Sequence, residues 1–480
     1  VDDGEANQGW AGVSQRPRRV AVHVVLALLF ASTFAAPALT QSSMPGDATL
    51  GGPSQYDDLL VMQRGAIQAS IEARTTVDDP RESIAGLHSE GSRGTDGVRA
   101  IRADELHRRG ITGEDVKVGV VGSAFDADNA AIADRVAGHY RADEGRRTTQ
   151  TAHDTAVAEV VTRTTPDAAL YLAGVGDSPT PRSYADAVDW LVEQDVDVIV
   201  DSGSYFAPTT GEMNRISAAA ERASDRGVVF VTSAGNYANR HWAGVADGEE
   251  WVSFAPDSES NALAGGDVTS GRVSLNLYWN SSADYDLYLY RKTPGEDPVV
   301  AKSTTRQDGE NASSVETVDA VVPKGVYYVG VYTHEDAADE TQLRLFSSHH
   351  SLTYTTAAGS MVAPATSERV ITVGALDAKS GHVRAYSSQD RTGTLPDVTA
   401  PDGVETTAAG TFYGTSAAAP YVAGSAALVK SRDGELSPKQ VEQLLEATAR
   451  ETEHGRQIDA LAAVEAASSE NVTARVGHGS

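Results

Sequence analysis

From residue 116 onward, short and nearly continuous apolar runs alternate with stretches in which apolar residues recur three and four apart. The runs Val116 to Val121, Ala168 to Ala173, Val196 to Val200, Val228 to Thr232 and Val370 to Val373 have strand length. Unbroken apolar character at that length predicts strands covered on both faces, as in a parallel sheet. Between them, Asp154 to Thr164, Tyr184 to Gln194 and Glu212 to Arg226 carry helical periodicity. Repetition of strand, helix, strand predicts an α/β domain with a doubly wound parallel sheet. Ser437-Pro438 caps a further helix running to about Arg450, and Ile458 to Ala467 forms a short last one.

Residues 244–355 break this alternation. Val273, Leu275, Leu277 and Trp279 alternate with more polar neighbours, as do Tyr285, Leu287 and Leu289, then Val326 and Tyr328 with Gly330, then Leu343 and Leu345. Period-two patterning between Gly, Asn and Asp turns predicts an antiparallel β module, jelly-roll-like, inserted in the α/β domain. The domain is thereby divided into residues 96–243 and 356–468, with 469–480 as a tail. The tyrosines of the module serve either a packed β core or a platform for substrate or carbohydrate.

Ahead of the domain, Arg16, Arg18 and Arg19 precede the apolar run Val20 to Phe30, and small residues follow through Ala36-Pro37-Ala38. That order predicts an export signal over 1–40, with a single N-terminal anchor as the competing reading. The adjacent Arg18-Arg19 pair suits twin-arginine export. Residues 41–95 are polar and acidic with little periodicity, and read as a linker or a removable pro-segment.

Composition changes the picture in three ways. A chain of 480 residues with 40% apolar content has enough apolar surface for at least one large core. It carries 67 acidic against 39 basic residues, only seven of them lysine, for a net charge of −28. That balance excludes a nucleic-acid partner, because little would displace counterions from phosphates, and it predicts a halophilic protein whose self-repulsion is screened in molar salt. With no cysteine, neither disulfides nor thiol chemistry contribute. No ligand spacing identifies a metal site.

Gly414-Thr415-Ser416-Ala417-Ala418-Ala419-Pro420-Tyr421-Val422-Ala423-Gly424 places a serine at the opening of an Ala-rich helix, where backbone N–H groups and the helix dipole favour developing negative charge. A serine there also reads as a simple helix cap. The stretch resembles the nucleophile motif of the subtilisin-like serine peptidases. Two more segments occur in that family's order. His153-Asp154-Thr155-Ala156-Val157-Ala158 resembles its histidine motif, with Asp154 in place of the usual glycine, and Val231-Thr232-Ser233-Ala234-Gly235-Asn236 is similar to the strand end carrying the oxyanion asparagine.

The resemblance covers about Asp96 to Ala467 apart from the insertion, which is itself similar to jelly-roll modules attached to secreted peptidases. It implies a subtilisin-like fold, Ser416 as nucleophile, His153 as general base, Asn236 as oxyanion donor, and Ser202-Gly203-Ser204 as the segment that lines the primary specificity pocket and pairs with substrate. It implies no required cofactor. Structural calcium is frequent in the family, without ligands assignable in this sequence.

One departure stands out. The first strand ends Val120-Val121-Gly122-Ser123, so Gly122 holds the place of the family's aspartate. Asp126 and Asp128 lie beyond that strand, and Asp154 is adjacent to the histidine it would orient, an awkward relation. Asp201, at the end of a neighbouring strand, is the expected replacement. The function expected is a secreted endopeptidase acting on polypeptides, with turnover depending on how the aspartate is replaced, and with no membrane attachment once the signal is removed. The alternatives are a peptide-binding pseudoprotease with a vestigial site, and a surface-binding protein dominated by the β module. The sequence indicates no oligomeric state.

Overall fold

The computed structural model describes residues 68–69, 96–142, 151–207, 210–246, 250–306, 314–334, 341–452 and 455–468. The expected export signal, almost all of the expected linker or pro-segment and the tail lie outside the described residues. Among the described residues no helix is long and apolar enough to cross a membrane.

All five apolar runs form strands of one nine-stranded sheet. Its order is Arg450–Thr452, Gly455–Gln457, Val398–Pro401, Ile371–Leu376, Val229–Ser233, Val198–Asp201, Lys117–Gly122, Ala169–Gly174 and Val136–Arg141. Every neighbouring pair is parallel except the first. Alternate residues of the central strands feed two apolar clusters. Val118, Val120, Val198, Val200, Val229 and Val231 face one layer of helices, and Val121, Ile199 and Phe230 face the other. This two-sided burial is the physical origin of the unbroken apolar runs.

From Lys117–Gly122 the chain winds first toward one edge of the sheet and later, from Val198–Asp201, toward the other. A crevice therefore opens at the carboxyl ends of these two strands, where α/β sheets bind ligands. Two helices meet beneath it, Thr151–Thr164 and Thr415–Arg432. The second is buried from Thr415 to Lys430, which its small residues permit. At Gly424 a Cβ atom would lie 2.6 Å from Thr164, so glycine sets how closely the two helices cross.

The segment expected as a β module is a pair of four-stranded antiparallel sheets. One is ordered Val315–Gly325, Thr269–Trp279, Gln342–Ser347, His241–Val245, and the other Val299–Ser303, Tyr285–Arg291, Tyr327–Thr333, Asn261–Ala262. Val273, Leu275, Leu277, Trp279, Tyr285, Leu287, Leu289, Leu343 and Leu345 share its core. One strand differs from the sequence reading. Tyr327, Val329 and Val331 point inward, whereas Tyr328 and Gly330 face outward. A slip of one residue exchanges the faces of a strand, and here the outer face carries Trp251, whose ring packs over Gly330. Tyr285 and Tyr327 are core, and Tyr288, Tyr290 and Tyr328 form a stacked row outside it.

Candidate active site

The first turn of the helix Thr151–Thr164 carries His153 and Asp154, both buried. The Nδ1–H of His153 donates to Asp154 Oδ1 at 2.7 Å, and the backbone N–H of Ala124 donates to Asp154 Oδ2 at 3.0 Å. Neighbouring side chains on a helix ordinarily point apart. Here they meet, with Asp154 reaching over the end of the strand Lys117–Gly122, because that strand ends in glycine. A Cβ on Gly122 would lie 2.6 Å from Asp154 Cγ, so the carboxylate of Asp154 fills the space that a side chain at 122 would occupy. Phe412 packs edge-on against the His153 ring at 5.1 Å between centroids. The other ring nitrogen, Nε2, is buried without a hydrogen-bond partner among the described residues.

The expected role of Asp201 as the partner of His153 is therefore corrected. Asp201 does lie beside the first strand, paired with Val121. Its carboxylate, however, accepts from Tyr184 Oη at 2.6 Å, from the Gly203 backbone N–H at 2.8 Å and from Tyr205 Oη at 3.2 Å. Burial pushes its pKa up to about 6 despite these bonds. Burial, then the charge of Asp201, holds Tyr184 and Tyr205 well above the ordinary tyrosine value. Asp201 thus fixes the backbone of the 202–204 segment rather than the imidazole.

Ser416 is the second residue of its helix. Its hydroxyl donates to the Ser202 carbonyl at 2.9 Å, and the Ser202 hydroxyl donates to the Ser416 carbonyl at 3.1 Å. The reciprocal pair has a backbone cause. Pro420, four residues on, has no N–H to give the Ser416 carbonyl, so that carbonyl takes its donor from Ser202. The next residue of the segment, Gly203, offers its carbonyl to the Ser233 hydroxyl at 3.4 Å, and Ser204 is buried beside it.

Asn236 follows the strand Val229–Ser233. Its Oδ1 accepts from the Thr415 N–H at 2.9 Å and from the Thr415 hydroxyl at 3.0 Å, which fixes the side-chain amide with its NH2 group on the opposite side. A Cβ at Gly414 would come within 3.0 Å of that Nδ2, and Gly414 has φ 107°, a conformation open to glycine. The Gly414 N–H donates to Asp402 Oδ2 at 3.1 Å, and Asp402 also takes Arg384 Nε at 2.8 Å and the Tyr386 hydroxyl. Glu159, buried on the histidine helix, accepts from the backbone N–H groups of Thr407 and Ala408 and holds the turn of the hairpin that carries Phe412.

The sequence reading named Ser416, His153, Asn236 and Ser202; the structure joins Ser416 to Ser202 and Asn236 to Thr415, the residue before Ser416, while His153 lies on the neighbouring helix against Asp154 and Phe412. That reading did not identify Asp402 or Glu159, which lack any local motif. It set Asp154 aside, although the signal was present as two departures of opposite sense: glycine where the family has aspartate, and aspartate where it has glycine.

The family model described as Subtilase family matches residues 113–357 and 354–479. The major intracellular serine protease of Bacillus subtilis (strain 168) is 25% identical over 222 residues, covering 42% of this chain and 64% of that protein. Subtilisin of Bacillus pumilus is 27% identical over 153 residues, 29% of this chain and 54% of its own length. The chain thus spans less than two thirds of either relative. Among solved structures, the Clostridium perfringens CspB protease superimposes with a TM-score of 0.56 at 16% identity, covering 78% of this chain and 99% of that one, a likeness of fold.

Proposed function

The chain belongs to the subtilase family of serine peptidases, and from that premise we propose that it is an exported serine endopeptidase whose orienting carboxylate has moved from the first strand to Asp154. The observation that carries this reading is the 2.7 Å bond from His153 Nδ1–H to Asp154 Oδ1, with the buried Nε2 lone pair unpartnered among the described residues. An imidazole held in that tautomer is a general base on its Nε2 side, and the carboxylate stabilises the cation formed when it takes a proton.

An extended substrate pairs along residues 202–204, where it competes for the Ser202 carbonyl. Rotation of Ser416 then exchanges its bond to Ser202 for one to His153 Nε2. Catalytic hydrogen bonds commonly tighten in this way only once substrate is bound. Ser416 Oγ attacks the scissile carbonyl carbon while its proton passes to Nε2. The carbonyl oxygen becomes an oxyanion held by the Asn236 NH2 group and the Ser416 backbone N–H. Collapse of this intermediate breaks the C–N bond as His153 returns the proton to the leaving amine. Water, deprotonated by the same nitrogen, then hydrolyses the acyl-enzyme. Loss of a single oxyanion donor in subtilisin costs on the order of 10²–10³ in kcat, and Asn236→Ala is expected to cost a similar factor.

The Ser416 bond to Ser202, rather than to His153, favours a second reading, a pseudoprotease that binds extended peptides without cleaving them. Labelling in molar salt with a fluorophosphonate probe, which reacts with activated serines, separates the two. Labelling that disappears in Ser416→Ala, with peptide hydrolysis lost in parallel, supports the endopeptidase. A folded chain that binds peptide but neither labels nor hydrolyses overturns it in favour of the pseudoprotease. Export is tested separately, by locating the mature protein outside cells and replacing Arg18 and Arg19 with lysine.

A further inference from the structure

Away from the crevice, the outer edge of the β module gathers three metal-ligating side chains, Asp284, Asp286 and His334. Residues two apart on a strand share a face, so Asp284 and Asp286 project together. The antiparallel register pairs Tyr285 with Thr333 and thereby sets His334 opposite Asp284, whose carbonyl accepts the His334 N–H at 3.1 Å. His334 Nε2 lies 3.3 Å from Asp286 Oδ2 and 3.8 Å from Asp284 Oδ2, and the three donor atoms all fall within 4.8 Å of one another.

We infer that Asp284, Asp286 and His334 form a binding site for a divalent transition metal of the zinc class. Four ligands around zinc at about 2.0–2.2 Å in a tetrahedron stand about 3.3–3.6 Å apart, close to the separations between His334 and the two carboxylates. An imidazole nitrogen among the donors selects such a metal over calcium or magnesium, which take oxygen ligands. Charge points the same way. Two carboxylates stand together on one face, and a divalent cation offsets the charge of both.

Supporting contacts are already in place. The Tyr288 hydroxyl donates to Asp286 Oδ2 at 2.9 Å and orients that carboxylate, and the Tyr332 ring packs edge-on against His334 at 5.2 Å. The turn before Asp284 is pinned by Trp279 Nε1, which donates to the Ala283 carbonyl at 2.9 Å. Asp286 is 9% exposed and Asp284 17%, while His334 is 43% exposed, so a cation enters from the His334 side and water completes its coordination.

The test is calorimetric titration of the full chain, stripped with EDTA and dialysed into a non-chelating buffer, with zinc chloride and separately with calcium chloride. One zinc per chain is expected, with affinity at least about 100-fold lower in His334→Ala and in Asp286→Asn, and about tenfold lower in Tyr288→Phe. Cobalt(II) is expected to give tetrahedral visible bands in the wild type that vanish in His334→Ala. Because His334 is half-exposed, its variant is expected to melt normally without metal; His334→Gln provides a second variant. Absence of zinc binding, zinc binding unchanged in the His334 variants, or binding of calcium alone would each overturn the site. None of these readouts depends on hydrolysis of peptide.

Discussion

Gly122 and Asp154 act as one unit, because the carboxylate of the second occupies the volume a side chain on the first would need. An exchange cycle tests this. Asp154→Gly is expected to lower kcat by about 3 × 10⁴, the loss that follows removal of the corresponding carboxylate in subtilisin, or about 6 kcal/mol. Gly122→Asp alone is expected to be inactive, with two carboxylates forced into one space. The double variant, which restores the family's arrangement, is expected to recover most of the activity. Peptide hydrolysis by the four proteins measures the coupling; a double variant no better than Asp154→Gly would remove Asp154 from its proposed role. Asp201 acts differently, and its pKa of about 6 makes a pH test available. The folded chain holds this proton to higher pH than the unfolded chain, whose aspartate titrates near 3.9. Stability is therefore lost as pH rises from about 4 to 6, by about 3 kcal/mol. Urea unfolding across that range is expected to show this slope reduced in Asp201→Asn. Of the candidate site, the residues carried by a local backbone motif were legible in the sequence. Asp154 was obscured because helix neighbours are expected to diverge, and Asp402 and Glu159 because their partners lie far along the chain.

At the scale of elements, the strands of the central sheet were legible because burial on both faces writes itself as an uninterrupted apolar run. Their ends moved by a residue or two, for instance from Val116–Val121 to Lys117–Gly122. The module was legible through its alternation, but the face of Tyr327–Thr333 was not, since apolar or aromatic residues stand on both sides of that strand. The junction of the two folds rests on a residue that the sequence does not mark. His241 begins the first strand of the module, and its Nδ1–H donates to the carbonyl of Thr356, where the chain returns to the α/β domain, at 2.6 Å. Burial, reinforced by the charge of Arg344, lowers its pKa to about 3. The folded chain therefore refuses a proton that the unfolded chain binds below about pH 6.5. Stability is lost as pH falls from there toward 3, by about 5 kcal/mol over the whole window. His241→Gln, which keeps a side-chain N–H donor and removes the titration, is expected to lose less stability between pH 6 and 4. Denaturant unfolding at the two pH values measures the difference, and equal acid loss in both proteins would place the sensitivity elsewhere.

For the whole molecule the decisive quantity is a net charge of −28, and salt acts on it in two opposing ways. Exposed ion pairs such as Arg135 with Asp167, separated by 2.8 Å with both side chains about two-fifths exposed, weaken as salt screens them, but such pairs contribute only about 0–1 kcal/mol each. Repulsion among the excess carboxylates weakens as well, and that favours the folded state. Near 0.1 M salt the Debye length is about 10 Å, long enough for each surface carboxylate to act on several others, and at 1 M it is about 3 Å, too short for most such pairs. Because the negative charges far outnumber the positive ones available to pair with them, the second effect outweighs the first. The thermal midpoint is therefore expected to rise by on the order of 5 °C or more between 0.1 and 2 M sodium chloride. Sucrose at matched osmolality supplies the control, since it strengthens apolar burial without screening charge. A midpoint that falls with salt would mean that paired charges, rather than the unpaired excess, dominate the electrostatics of the fold. An equal rise in sucrose would assign the gain to burial and withdraw the halophilic reading.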